Sequence, residues 1–325
     1  MGKLVFLTEH VHPDAVELLR RAPGIELVEG PSLSEADAAA AFAAADALGV
    51  RIRNLCAADL DQAPGLRVVA KHGVGTDNID VAHCTMRAIP VLNTPDANKV
   101  AVAEHAMMLM LALAKRLPQS DKAVREGNWR LRDGHDVREL AGRTLAIIGF
   151  GRSGQELARR AAAFDMRVLA WGRTLDAGAL AAFGVEPAGS LTDALAEADI
   201  VSLHMPRPPG GGYLIGANEI ALIKSGALFI NCARGGIVDE AALAEAVASG
   251  QIGGAGMDVF EREPPPLDHP LLHCPGVIVT PHAAGNTREA SRRMGIEMAE
   301  NILAALDGRI PEDRLVNRAV VSQLG

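Results

Sequence analysis

The segment Thr144-Leu-Ala-Ile-Ile-Gly149-Phe-Gly151-Arg152-Ser153-Gly154-Gln155 joins an apolar run to three glycines spaced G-x-G-x-x-G, with a helix-forming stretch behind them. This order predicts a strand, a tight turn and a helix. The first glycine makes the turn, the second lets the backbone approach a pyrophosphate, and the third brings helix and strand close. The helix N-terminus then offers free N–H groups and a positive dipole end to phosphates. With 33 glycines in the chain a loose match arises by chance, so it is the flanks that carry the reading. From residue 144 onward the chain should therefore build a parallel α/β unit that binds a dinucleotide. About 145 residues precede the glycines, enough for a separate domain.

The rest of the chain agrees with that architecture. Short β-type runs alternate with alanine-rich helical stretches, the pattern of parallel sheets covered on both faces. Strands are expected at Lys3–Leu7, Ile25–Val28, Ala47–Val50, Arg67–Ala70 and Ile89–Leu92, with a helix beginning near Pro13. Lys99–Arg116 is apolar on almost every side between charged ends, which predicts a buried helix in a core or at a subunit interface. Past it, through Trp129 and Asp133 to Arg138, no clear period emerges. Strands resume at Leu145–Ile148, Arg167–Ala170, Asp199–Leu203, Ala227–Ile230, Gly254–Val259 and Val277–Thr280. Helices are expected at Gln155–Phe164, Leu191–Ala196, Ala217–Ile223, Glu240–Ser249 (capped by Gly250) and from Gly285 to about Leu306.

Composition excludes several classes of function. A net charge of −8 argues against nucleic acid, whose phosphates call for a basic face. The four cysteines, Cys56, Cys84, Cys232 and Cys274, stand far apart in no ligand spacing, so neither structural zinc nor a disulfide framework is expected. The longest apolar run, Ala106–Ala114, is nine residues, against the ~18 that suggest a membrane span. The first residues lack the features of a secretory leader. These readings together predict a cytoplasmic globular protein with a small-molecule partner and no membrane or metal.

The second strand of the dinucleotide unit ends Trp171-Gly172-Arg173-Thr174. A carboxylate is usual about twenty residues beyond the fingerprint, where it binds the adenosine ribose hydroxyls. Gly172 stands there instead, with a cation and a hydroxyl next to it. An arginine can hold a 2′-phosphate in its fork, so NADP(H) is favoured, with NAD(H) as the alternative.

Three polar residues follow expected strand ends, where ligands bind in open α/β sheets: Arg234, Glu263 and His282. Reducing a 2-keto acid needs a cation for its carboxylate, a proton donor for the developing alkoxide, and a partner that keeps the donor protonated. A guanidinium meets the first need, a histidine the second and a nearby carboxylate the third. Glu261 and Glu263 compete for that last part. His105, on the apolar helix, suits a satisfied core position, and His204, at a strand end, suits a positioning contact.

These stretches resemble the D-isomer-specific 2-hydroxyacid dehydrogenases, in the branch of D-3-phosphoglycerate dehydrogenase and hydroxypyruvate/glyoxylate reductase. The likeness lies in His72-Gly-Val-Gly-Thr-Asp-Asn78-Ile-Asp, Asn93-Thr-Pro95, Ala103-Glu104-His105, the fingerprint, Asn231-Cys-Ala-Arg234-Gly-Gly-Ile-Val-Asp-Glu240, Gly256-Met-Asp258 through Glu263-Pro-Pro, and Pro281-His282-Ala-Ala-Gly285. It implies that Arg234 binds the carboxylate and polarises the carbonyl, that His282 is the acid/base, and that Glu263 rather than Glu261 is its partner. It implies a substrate loop at Val74 and Gly75, with Val74 also touching the cofactor. The remaining cofactor contacts would come from His204, Met205, Pro206, Cys232, Ala233, Asp258, Ala283 and Gly285.

The same resemblance implies two doubly wound parallel-sheet α/β domains, a central Rossmann cofactor domain inserted into a flavodoxin-like substrate domain. The expected division is 1–98 plus 287–325 for substrate and 99–286 for the dinucleotide. A homodimer through the helix 99–116 is implied as well. Arg51 and Lys71 fall where phosphoglycerate dehydrogenases bind phosphate, but Lys71-His72 replaces their usual Arg-Ala, which leaves phosphorylation of the substrate open. Hydroxypyruvate, glyoxylate and 3-phosphoglycerate are all candidates. The resemblance is to the short form without a C-terminal regulatory domain, so serine feedback through such a domain is not expected. The alternative reading is a redox-sensing corepressor-like binding protein on the same scaffold.

Overall fold

A computed structural model describes residues 2–134, 136–208 and 210–323. The chain divides into two compact units, Met1–Asn98 with Asn286–Gly325, and Lys99–Gly285.

The first unit begins with β1 (Lys3–Leu7), α1 (Pro13–Arg21), β2 (Ile25–Glu29), α2 (Glu35–Ala43), β3 (Ala47–Val50), α3 (Ala57–Asp61), β4 (Val68–Lys71), α4 (Val81–Met86) and β5 (Val91–Leu92). Its sheet has the order β2-β1-β3-β4-β5, with every pairing parallel. That is the flavodoxin-like order, whose switch point lies between β1 and β3. Successive residues of β4 serve opposite cores: Val68 and Ala70 face one, Val69 the other. β5 is shorter than expected, because Pro90 has no N–H to give and the Ile89 N–H goes to the Cys84 carbonyl of α4 instead.

The second unit follows with α5 (Lys99–Ala114), α6 (Leu117–Arg125), β6 (Thr144–Ile148), α7 (Arg152–Ala162), β7 (Arg167–Trp171), α8 (Ala177–Phe183), β8 (Glu186–Pro187), α9 (Leu191–Glu197), β9 (Ile200–Leu203), α10 (Ala217–Leu222), β10 (Ala227–Asn231), α11 (Glu240–Ala248), β11 (Ile252–Met257), α12 (Pro270–His273) and β12 (Val277–Val279). The sheet order is β12-β11-β10-β9-β6-β7-β8, all parallel. Counted from β6, the order 3-2-1-4-5-6 of the dinucleotide fold is present, with one further strand, and the switch point lies between β6 and β9. Leu145 and Ile147 pack into one core and Ala146 and Ile148 into the other, as a strand buried on both faces must. The chain then returns to the first unit with α13 (Arg288–Leu306).

Several boundaries moved for identifiable reasons. α7 starts at Arg152, not Gln155, because the last residues of the fingerprint form its first turn. α5 stops at Ala114, where Arg116 adopts a left-handed φ of 47° and starts α6. The stretch without a period holds α6 and a 3₁₀ turn at Trp129–Asp133. β11 ends at Met257 rather than Val259; beyond it the Asp258 N–H still reaches the Asn231 carbonyl, while its carboxylate takes the N–H groups of Ala283 and Ala284 in the loop after β12. Asn286 falls with the first unit. Among the described residues no helix is long and apolar enough to cross a membrane.

Candidate active site

The residues singled out in the second unit gather at the carboxyl ends of six strands. Gly149–Gly154 follow β6; Trp171 ends β7, with Gly172, Arg173 and Thr174 behind it. His204, Met205 and Pro206 follow β9; Cys232, Ala233 and Arg234 follow β10; Asp258 follows β11; His282, Ala283 and Gly285 follow β12. The sheet thus brings to one edge what the sequence spreads from Gly149 to Gly285.

The glycine turn has three different environments. Gly149 has φ 98°, and a Cβ there would lie 2.5 Å from the His204 carbonyl oxygen, so the turn closes against the end of β9. A Cβ on Gly154 would lie 2.5 Å from the Gly149 carbonyl oxygen and 3.1 Å from Ile147, which fixes α7 on its strand. A Cβ on Gly151 would meet nothing within 4 Å. Gly151 is the N-cap of α7, so open space lies in front of the helix N-terminus, the kind of place at which helix ends attract anions. Behind it, His204 bridges Ser153 Oγ at 3.2 Å and Ser202 Oγ at 2.9 Å. Burial pushes its pKa down to about 4, so the ring is a neutral tie between β9 and α7.

At the end of β7, Arg173 and Thr174 are exposed. Among the described residues Arg173 makes no ion pair or side-chain hydrogen bond. The nearby Asp176 spends its carboxylate on the Ala179 N–H as the cap of α8.

His282, Glu263 and Arg234 form a connected group. His282 Nδ1 lies 2.6 Å from Glu263 Oε2, and Glu263 Oε1 accepts the Phe260 N–H at 3.0 Å. Burial works to raise the Glu263 carboxyl. The hydrogen bonds from His282 and Phe260 and the charges of His282 and Arg234 bring it below the usual carboxylate range. Glu261 does not take this place: its carboxylate accepts the Tyr213 hydroxyl at 2.9 Å. The Arg234 guanidinium gives one N–H to the Ala233 carbonyl at 2.7 Å.

Two residues without an assigned structural part hold this group in shape. Asn231, fully buried, folds the β10 loop by donating to the Arg234 carbonyl at 2.9 Å and accepting the Ala233 N–H at 3.0 Å. An Asn at a strand end, with an Asx turn's reach, is the signal that could have identified it. Asp258, only 1% exposed, accepts the Ala283 N–H at 2.8 Å, the Ala284 N–H at 2.9 Å and the Thr280 hydroxyl at 2.6 Å. His282 takes a left-handed φ of 52°, which costs a residue other than glycine roughly 1–2 kcal/mol. Asp258 stabilises that loop through these bonds. His105 Nε2 lies 2.9 Å from Thr280 Oγ1, so it is a satisfied, half-buried residue behind the same loop. Cys232 is buried, and burial, then the Asp258 charge, raises its thiol far above the ordinary range.

In the first unit, Val74 and Gly75 lie on the loop after β4, where the Val74 carbonyl accepts from Asn93 at 2.8 Å. Lys71 is buried, and its ammonium donates to the Arg51 carbonyl and, at 2.6 Å, to Asn78 Oδ1. Arg51 is partly exposed, and its backbone N–H goes to Glu9 Oε2 at 2.8 Å. His72 is buried beside them, and burial, then the Arg51 charge, lowers its pKa to about 4.

A glycine turn at a sheet switch point, with an imidazole–carboxylate pair and an arginine on the same edge, defines the class of dinucleotide-binding α/β proteins. Residues 107–284 match the family described as "D-isomer specific 2-hydroxyacid dehydrogenase, NAD binding domain". The chain belongs to the D-isomer-specific 2-hydroxyacid dehydrogenase family. It is 41% identical over 325 residues to a glyoxylate reductase of Aeropyrum pernix, covering 98% of this chain and 96% of that one. It is 38% identical over 320 residues to a D-3-phosphoglycerate dehydrogenase of Methanocaldococcus jannaschii, covering 98% of this chain and 60% of that protein. The chain therefore spans about 60% of the length of the phosphoglycerate dehydrogenases it matches. The TT0316 protein of Thermus thermophilus superposes with a TM-score of 0.86 at 35% identity, over 96% of this chain and 99% of that one.

Proposed function

We propose that this protein is an NAD(P)-dependent 2-hydroxyacid dehydrogenase that reduces a small 2-keto acid to the D-2-hydroxy acid, and the reverse. The observation that carries the reading is the His282–Glu263 hydrogen bond of 2.6 Å, with the Arg234 charge acting on the same carboxylate. Arg234 binds the substrate carboxylate in its fork and turns the neighbouring carbonyl toward His282. The Gly149–Gly154 turn and the N-terminus of α7 would hold the diphosphate of a reduced nicotinamide cofactor, which would supply the hydride for the carbonyl carbon. His282 gives its proton to the carbonyl oxygen as the alkoxide develops, and Glu263 stabilises the imidazolium until then. In the oxidative direction His282 takes the hydroxyl proton back.

The cofactor we assign is NADP(H) in preference to NAD(H), on the exposed Arg173 beside Gly172. Hydroxypyruvate and glyoxylate suit the site better than 3-phosphoglycerate, because Lys71 spends its ammonium on Arg51 and Asn78 within its own unit. We assign a homodimer through α5, where a groove of about 540 Å³ is lined by Glu104, Met107, Met108, Leu111 and Phe164. A reducing, cytoplasmic compartment agrees with four free cysteines. The test is a screen of 2-keto acids against both reduced cofactors, followed by absorbance, with His282→Ala as control. Lack of oxidation by any keto acid, or full turnover in His282→Ala, overturns the reading.

A further inference from the structure

The Phe260–Glu261 peptide is the joint between the two arms of the site. Its far side is pressed against Gly235, the residue after Arg234: a Cβ there would lie 1.8 Å from the Phe260 carbonyl carbon and 2.3 Å from the Glu261 nitrogen. The Phe260 N–H, which belongs to the preceding peptide and joins this one at the Phe260 Cα, is the group on which Glu263 rests its Oε1. A shift of the Phe260–Glu261 peptide therefore bears on the Arg234 loop directly and on the seat of Glu263 through Phe260.

What holds the peptide is a buried pair outside the site. Glu240, first residue of α11 and 5% exposed, accepts the Glu261 N–H on Oε1 at 2.6 Å. Its Oε2 lies 3.0 Å from His269 Nε2. His269 caps α12 by accepting the Leu271 N–H on Nδ1 at 3.3 Å, which puts the ring proton on Nε2 and makes it the donor to Glu240. The same imidazole stands edge-on to the Phe260 ring, centroids 5.4 Å apart at 81°. A surface helix end needs no buried carboxylate, and burial raises the Glu240 carboxyl against the pull of the Glu261 N–H and His269. The hydrogen bonds from the Glu261 N–H and His269 offset part of that burial cost and fix where the carboxylate stands.

We propose that Glu240 and His269 are positioning residues for the reaction, acting through the Phe260–Glu261 peptide on Arg234 and Glu263. The inference rests on the assignment of Arg234, Glu263 and His282 as the reacting group. The hydrogen bonds of Glu240 and His269 go to Glu261, Leu271 and each other, not to the side chains of Arg234, Glu263 or His282, so their part is to place that group.

The experiment compares Glu240→Ala, His269→Phe and His269→Gln with wild type and His282→Ala, using glyoxylate or hydroxypyruvate, whichever turns over faster. Ångström-scale misplacement of catalytic groups costs up to ~10²-fold, so Glu240→Ala and His269→Phe should lower kcat about ten- to hundredfold. Cofactor KM, which also depends on the glycine turn of another strand end, should change less, by about twofold. His269→Gln keeps an N–H for Glu240 and should regain most of the lost kcat. Should Glu240→Ala fail to fold, the two His269 variants, checked for an unchanged melting temperature, make the same comparison. Wild-type kcat in a folded His269→Phe, or equal losses in His269→Phe and His269→Gln, overturns the positioning role while His282→Ala remains inactive. An active His282→Ala overturns the underlying assignment instead.

Discussion

His282 Nδ1 and Glu263 Oε2 stand 2.6 Å apart, and the other oxygen of that carboxylate is held by the Phe260 N–H. The Phe260 N–H holds Glu263, Glu263 holds the ring through Nδ1, and Nε2 on the other side of the ring is the atom proposed to act on substrate. The hydrogen bond and the charge of His282 lower the Glu263 carboxyl, so a carboxylate faces the imidazole. Replacing Glu263 with Gln keeps the shape and removes the charge. A charge-assisted hydrogen bond contributes about 1.5–3 kcal/mol, so Glu263→Gln should lower kcat/KM for keto-acid reduction roughly tenfold or more. Steady-state kinetics check this, and a variant with wild-type kcat/KM would refute it. His282→Ala should lower kcat by roughly 10²–10⁴, the usual worth of a positioned acid/base, with cofactor affinity nearly intact.

The part proposed for Arg234 depends on the planar fork of its guanidinium. Its Nη1 is anchored on the Ala233 carbonyl at 2.7 Å, and Asn231 folds the loop beneath it. Lysine keeps the charge but loses both the anchor and the two parallel bonds to a carboxylate. Arg234→Lys should therefore lose roughly 10²-fold in kcat/KM, close to Arg234→Ala, because charge-assisted hydrogen bonds contribute about 1.5–3 kcal/mol each. Steady-state kinetics on the best keto acid decide it. A lysine variant within a few-fold of wild type would assign Arg234 a purely electrostatic part.

How far the sequence reaches can be seen at particular residues. The glycine turn and the strands around it were legible because Gly149 and Gly154 answer to local constraints, a left-handed φ and a close approach. Arg234, Glu263 and His282 were legible by type and by place after strands. The choice between Glu261 and Glu263 does not follow from their spacing of two residues; the family resemblance picks Glu263, and the fold puts that carboxylate against His282 and Glu261 against Tyr213. Asn231, Asp258 and Glu240 act through backbone groups up to 26 positions away, and no periodicity reports such bonds. The short elements α3, α4 and β8 were missed because a few residues carry too little pattern. Lys71 stood out as a cation in the sequence, and the fold turns it inward onto Asn78.

The two buried histidines give a prediction about stability. His72 and His204 each have a pKa lowered to about 4, first by burial. In the unfolded chain both return to ~6.5. Below that value the unfolded state binds protons that the native state refuses, so stability is fully present above pH ~6.5 and is lost as pH falls to about 4. Each contributes on the order of 3 kcal/mol across that window. Urea midpoints should therefore fall between pH 7 and 4.5, and His204→Gln, which does not titrate, should show a shallower fall. Parallel curves for wild type and variant would contradict this account.

The cofactor prediction turns on Gly172 and Arg173. Nothing acidic follows β7 at the position of Gly172, and the nearest carboxylate along the chain, Asp176, is committed to the Ala179 N–H. A 2′-phosphate at this edge would meet an exposed guanidinium and the Thr174 hydroxyl, with glycine rather than a carboxylate at position 172. One such contact is worth about 1.5–3 kcal/mol, or roughly tenfold and more in affinity. NADPH should therefore exceed NADH in kcat/KM by about tenfold, and Arg173→Ala should narrow the gap mainly through the KM for NADPH. Raising the salt concentration should narrow it too, because an exposed ion pair is screened. Initial rates at subsaturating cofactor measure all three effects. A higher kcat/KM for NADH in wild type would mean that Arg173 serves only the solvent, and the ribose would then be held by Gly172 and Thr174 without a charge.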